Sequence, residues 1–210
     1  MARKTEIVKF KGDWQDVVDG CRITVNKPPL GHEPSKEFKY SMLIAEHEPI
    51  RELWVKWKWL AIAYCIAMHW KTHIWPSRVN TSREDRTGVP RNKRSQVDPV
   101  NFEASMNPQH SIDTFRKRLC CQADPDTRLL AEDFKITLHA YQPEWSDVLV
   151  PNCVYRCGCP EPKMCEKRLW ASFTAWAHAR HVNVFRMSIK DRYALYNKWF
   201  YEEWSSYRDA

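Results

Sequence analysis

Between positions 53 and 59 the chain alternates. Leu53, Val55, Trp57 and Trp59 fall on one side and Trp54, Lys56 and Lys58 on the other, the period of a strand with one face buried. A shorter apolar stretch at 7–10 predicts another strand, and 22–25 a further one. Helices are predicted over 13–20, ended by Gly20, and over 35–46, where Phe38, Met42 and Ala45 recur at helical spacing. Residues 60–70 are apolar on nearly every side, which predicts a buried helix carrying His69 inward. Pro108 stands where a helix begins; Ile112, Phe115 and Leu119 form its apolar stripe, and Ser111, Thr114, Arg118 and Gln122 a polar face. A further helix is predicted over 125–141. Gly88, Pro90, Pro99 and several basic residues predict a mobile basic loop over 87–104.

Composition narrows the class. At 210 residues, 43% hydrophobic and 28% charged, the chain predicts one sizeable core with an appended segment. A net charge of +7 favours anionic partners: nucleotides, nucleic acid or a membrane surface. The longest apolar run, 59–70, has 12 residues, short of the roughly 20 that span a bilayer. The first ten residues are mostly polar, so no signal peptide is expected, and the chain reads as cytoplasmic with reduced thiols.

The central tract 69–86 begins with His69 and His73, four apart on a predicted helix, and passes through Pro76 into polar sequence. Arg78, Arg83 and Arg86 offer fork-shaped donors for phosphate or carboxylate, and Thr81 and Ser82 smaller ones. The alternative is a solvated loop. No Glu follows His69, so the His-Glu-x-x-His metalloprotease pattern is absent, and no metal ligands are assigned to this pair. Cys153, Cys157, Cys159 and Cys165 lack the paired Cys-x-x-Cys spacing of zinc ribbons; a structural zinc and free thiols both stay open. In the tail, Ile189, Tyr193, Tyr196 and Phe200 repeat at helical spacing, which predicts a helix packed on the domain or on another subunit rather than a nucleic-acid surface.

Four places together resemble the flavin-dependent thymidylate synthases. His47 is followed five residues later by Glu52, just before a strand. Thr72-His73-Ile74 and Thr81-Ser82-Arg83 stand where that family has Arg-His-Arg and Ser-x-Arg. Arg91 lies at the usual separation before the last motif. Asn107 is followed by Arg118 after eleven residues, Ala123 five further and Arg128 ten beyond Arg118. The tracts 85–91 and 150–156 most resemble a short, phage-type branch, which would place the chain in a host cytoplasm. The resemblance covers roughly 5–165. It departs from the pattern at Thr72 and Ile74, where the family has arginines, although Lys71 offers a displaced charge, and at Gln109 and Asp113, where it has Arg and Asn.

The resemblance implies an α+β fold with a mainly antiparallel sheet and flanking helices, a synthase-like domain over 1–166 and an aromatic, basic helical extension over 167–210. It implies methylation of dUMP to dTMP, or a related C5 modification, with FAD as cofactor and NAD(P)H and methylenetetrahydrofolate as co-substrates, in a homotetramer with sites shared between subunits. His69, Thr81, Ser82, Arg83, Arg91 and Arg118 would bind dUMP. His47, Thr72, His73, Asn107 and Asp113 would bind FAD. Arg118 would also be catalytic, its guanidinium stabilising charge that develops on the pyrimidine, and no protein nucleophile is implied. The second reading is a nucleotide- or nucleic-acid-binding protein on the same scaffold without flavin chemistry.

Overall fold

The computed structural model describes residues 4–165 and 169–205. Four strands form one antiparallel sheet in the order β1-β2-β4-β3: β1 (Thr5–Lys11), β2 (Trp54–Ala63), β3 (Ser77–Val79) and β4 (Pro99–Met106). The alternation at 53–59 does what it predicts. Val55, Trp57 and Trp59 face the core opposite Met106, Ala104 and Phe102 of β4. On the other face Lys56 pairs with Glu103 (2.8 Å) and Lys58 with Glu6 (2.7 Å), cross-strand charges on the more open side of the sheet.

Ten helices occur among the described residues: α1 (Trp14–Ile23), α2 (Lys36–Ile44), α3 (Tyr64–Lys71), α4 (Glu84–Thr87), α5 (Pro108–Arg118), α6 (Pro125–His139), α7 (Pro143–Asp147), α8 (Asn152–Tyr155), α9 (Leu169–His178) and α10 (Ile189–Trp199). A π turn, Phe200–Trp204, extends α10. The sequence signals for helix starts hold where a side chain can cap. Asp13, Ser35, Asn107, Asp124 and Ser188 each accept backbone N–H groups of the first turn.

Five expectations are corrected. Gly20 does not end α1; the helix continues to Ile23, and a Cβ at Gly20 would stand 3.4 Å from Pro49, so its smallness serves packing. Residues 22–25 are therefore the helix end and a turn, not a strand, with Asn26 at φ 53° reversing the chain. The helix read over 60–70 starts only at Tyr64. Before it, β2 continues through a bulge in which Ala61 takes φ 52° and its N–H meets Asn101 Oδ1 at 3.1 Å, so that Ile62 regains register with Val100. The loop read over 87–104 hides the sheet's second central strand: Val100, Phe102, Ala104 and Met106 alternate inward, and Pro99 is tolerated because it is the strand's first residue. The helix over 125–141 stops at His139, since Pro143 opens a new one.

α6 is the buried spine. Phe134 meets Trp57 across the sheet (ring centroids 5.0 Å) and Phe115 of α5 (5.1 Å). Arg128, Glu132, Asp133 and Lys135 of this helix are buried and each has a partner, as the cost of burying lone charges requires. Arg128 pairs with Glu132 one turn on. Asp133 Oδ2 accepts the N–H groups of Lys4 (3.0 Å) and Thr5 (2.6 Å), fastening the start of β1. Lys135 donates to Ser146 O at 2.7 Å and lies over the rings of Phe200 and Tyr201.

The tail closes this side. Phe173 of α9 packs on Tyr196 and Trp199 of α10 (5.7 and 5.5 Å), and Arg192 donates to the carbonyls of Val154 (2.7 Å) and Tyr155 (3.0 Å) at the end of α8. The expected boundary at 166/167 lies outside the described residues, as do 206–210. Among the described residues no helix is long and apolar enough to cross a membrane.

Candidate functional site

α3 ends at Lys71, where the Thr72 hydroxyl donates to His69 O at 2.8 Å. His73 therefore lies beyond the helix and does not share a helical face with His69, correcting the i, i+4 expectation. Its ring stacks on Trp75, centroids 4.8 Å apart. The last turn of α5 brings Arg118 here: Nε donates to His73 Nε2 at 2.8 Å, and Nη2 to His69 O at 2.8 Å. An Nε2 that accepts must be unprotonated, so the neutral ring carries its hydrogen on Nδ1. Burial first, then the Arg118 and Lys117 charges, lowers the His73 pKa to about 4. Burial also lowers that of Arg118. Behind them His69 Nδ1 lies 2.9 Å from the buried Thr127 hydroxyl of α6. Two of the three guanidinium nitrogens, Nε and Nη2, are thus fixed by the chain itself.

A cavity of about 150 Å³ adjoins this group, lined by His73, Ile74, Trp75, His110, Asp113 and Lys117 among others. Asn107 stands at the head of α5, buried, its Oδ1 accepting the His110 N–H at 2.9 Å. Ser111 and Thr114, expected on a polar face, are buried: the Ser111 hydroxyl donates to Pro108 O and accepts from Trp145 Nε1, both at 2.7 Å. Gln109 donates to Glu46 at 2.7 Å and Asp113 at 3.3 Å. Glu46, in the left-handed region at φ 53°, also binds Arg116, whose guanidinium lies 3.6 Å from the centre of the Tyr155 ring. His47 follows, exposed, at the head of a short 3₁₀ turn.

Thr81, Ser82 and Arg91 gather around a different, larger cavity of about 410 Å³, together with Tyr64, Arg94 and Asp98. Arg83 is not in its wall. It is turned to Asp85, Nε to Oδ1 at 3.0 Å and Nη2 to Oδ2 at 2.7 Å. Tyr64 opens α3 and His69 lies in its last turn, so the backbones that carry the two groups are about 8 Å apart along that axis. A single chain holds Arg91 and Arg118 in separate places. Sequence reasoning missed Arg94, His110 and Lys117; the charge run around Arg91 was the signal for Arg94.

Cys153, Cys159 and Cys165 meet Cys120 and Cys121 around a cavity of about 20 Å³, while Cys157 faces Val184 O. Burial raises the thiol pKa of Cys153 and of Cys120, keeping both protonated. Among the described residues, no group of three or more His, Cys, Asp or Glu is arranged to hold a metal ion.

The sequence matches no protein-family model and no curated protein. Solved structures do match. Thymidylate synthase X from Helicobacter pylori with FAD and dUMP aligns at a TM-score of 0.58 and 10% identity, over 70% of this chain and 98% of that one. A second structure of that flavin-dependent synthase, also complexed with FAD and dUMP, aligns at 0.57 and 9%, over 70% and 100%. A UMP/dUMP methylase, PolB from Streptomyces cacaoi, bound with 5-Br dUMP, aligns at 0.53 and 10%, over 69% and 93%. With these neighbours matched along nearly their whole lengths, and with the sheet order and helices described above, the chain has the fold of the flavin-dependent thymidylate synthases.

Proposed function

We propose that this chain is an enzyme that adds a one-carbon unit to C5 of dUMP, as a flavin-dependent thymidylate synthase or a close relative. The observation that carries this reading is Arg118, immobilised by His73 and the His69 carbonyl on a fold whose solved examples hold dUMP. A guanidinium fixed before the substrate arrives stabilises charge on the pyrimidine without reorganising at the moment of reaction. Thr81, Ser82 and Arg91, which share the wall of the larger cavity, are the phosphate ligands of this reading, while Arg83 is turned away to Asp85 and His69 orients Arg118 through its carbonyl. Guanidinium forks suit a phosphate that carries about two negative charges near neutrality.

FAD, when bound, would supply the redox chemistry and carry the one-carbon unit drawn from methylenetetrahydrofolate, with NAD(P)H as reductant. The cavity beside His73 fits part of such a group. The buried Nδ1 of His110 has no partner among the described residues, Lys117 supplies positive charge, and Trp75 with the exposed Ile74 offers an apolar wall. Thr72 and Asn107 serve the ends of α3 and α5 here, so their part in holding FAD would be to shape the backbone at that wall. His47 and Asp113 are both exposed, and Asp113 is already engaged by Gln109 at 3.3 Å and Arg116 at 3.6 Å.

Arg91 lines the larger cavity and Arg118 does not, and we take the working unit to be a homotetramer in which different copies contribute these two arginines to one site. The test is a visible absorbance spectrum of purified protein, repeated with FAD and then dUMP, followed by an assay for dTMP. Bound flavin whose spectrum shifts with dUMP, and dTMP formation that reappears on mixing Arg91→Ala with Arg118→Ala subunits, would support it. A chain that takes up no flavin under any condition would sink it. The second reading, a nucleotide-binding protein without flavin, is favoured by Thr72 and Ile74 in place of arginines and by Gln109 being tied to Glu46.

A further inference from the structure

Resting on the reading that the larger cavity takes a nucleotide monophosphate, we infer that Arg94, not Arg83, supplies the second guanidinium for the phosphate beside Arg91.

Three observations carry this. The Arg94 side chain enters the wall of the 410 Å³ cavity with Arg91, Thr81 and Ser82, whereas Arg83 does not. Arg94 Nε is hidden from solvent and has no hydrogen-bond partner among the described residues. Leaving a charged group's N–H buried and unmade is costly, and a small swing of the side chain towards a phosphate in the cavity would bring that N–H to an oxygen. The guanidinium is also already fastened, Nη2 donating to the Thr87 hydroxyl at 2.7 Å, so little side-chain freedom remains to be lost on binding.

Arg83 has the opposite character. Both ends of its fork are on Asp85, and the pair is exposed. Reaching a phosphate would require breaking that pair and ordering a free side chain. The ligand class follows from the wall itself: two guanidinium groups and the hydroxyls of Thr81 and Ser82 for a phosphate, with Tyr64 as the aromatic residue of that wall. Asp98 is the acid in that wall; its Oδ2 accepts the Ser95 N–H at 3.0 Å. A carboxylate there suits a sugar hydroxyl and repels a second phosphate, which points to a monophosphate.

The test is calorimetric titration of the full chain with dUMP and, separately, with inorganic phosphate, for the wild type, Arg94→Ala, Arg94→Lys and Arg83→Ala. Arg94→Ala should weaken both ligands by about 10-fold or more. Arg94→Lys should recover only part of the loss, since an ammonium lacks the fork, and it keeps the test open should the alanine variant fail to fold. Arg83→Ala should change either affinity by less than about 3-fold. Unchanged affinity in both Arg94 variants, or a larger loss from Arg83→Ala, would overturn the inference. Phosphate binding that depends on Arg94 in a chain that ignores dUMP would retain the anion site and remove the proposed function. Binding of neither ligand by the wild type would remove both.

Discussion

Nε of Arg118 and Nε2 of His73 are 2.8 Å apart, with the arginine as donor. The histidine must stay neutral to accept, and the arginine must stay charged to act on a substrate. The arginine charge therefore helps hold the histidine neutral, and the neutral ring holds the guanidinium in place.

Replacing His73 by alanine should free the Arg118 side chain. The expected result is a 10- to 100-fold fall in turnover of dUMP, roughly the worth of a hydrogen bond to a charged group, with a smaller change in KM. Steady-state kinetics check it, and partial rescue by glutamine, which can still accept, separates positioning from simple loss of packing.

The same pair makes a pH prediction. The His73 pKa falls from 6.5 to about 4 in the folded chain, so the unfolded chain binds more protons between those values. Its contribution to stability is present in full above about pH 6.5 and is lost as pH drops towards 4. Denaturant titrations across that window should show a slope that His73→Gln reduces.

Lys135 titrates in the same sense at higher pH. It is fully buried, and desolvation lowers its pKa from 10.5 to about 7 against an opposing pull from Asp147. The unfolded chain again binds more protons, so stability should rise as pH goes from about 7 towards 10.5. Lys135→Met should remove that rise and, near neutrality, stabilise by about 1–2 kcal/mol. Urea melts at several pH values would show it; a variant with the wild-type slope would mean that Lys135 reaches water.

Asp133→Ala should cost about 3 kcal/mol, because it strips the N–H groups of Lys4 and Thr5 of their buried acceptor. Hydrogen exchange should report the loss first at β1.

Phe173→Ala should cost about 3–5 kcal/mol, since that ring is wholly buried against Tyr196 and Trp199. If α9 and α10 share the core of the domain, a single cooperative transition should shift as a whole. An independently melting tail would instead support a separable extension.

Strand β2 was legible from its alternation, and helices α2 and α5 from Ser35, Pro108 and their apolar stripes, because caps and periodicity are local and need no partner. Strand β4 was not legible. Its residues alternate, yet Pro99 and the charges before it read as a loop until β2 and β3 are there to pair on either side. The boundary between β2 and α3 failed for a related reason: 60–70 is apolar throughout, and only pairing with β4 decides that Ala63 ends a strand.

The candidate site divides along the same line. The resemblance to the flavin-dependent thymidylate synthases singled out His73, Arg91, Asn107 and Arg118, because residue type and separation along the chain carry that likeness. Which arginine meets which partner depended on packing. Arg118 is held by His73 because α5 ends against the exit of α3, Arg83 is taken up by Asp85, and Arg94 enters the cavity wall instead. The Arg118 contacts span 45 and 49 positions, which no local pattern encodes. The partners of Arg83 and Arg94 lie two and seven residues away and were left open only by the many acceptors nearby.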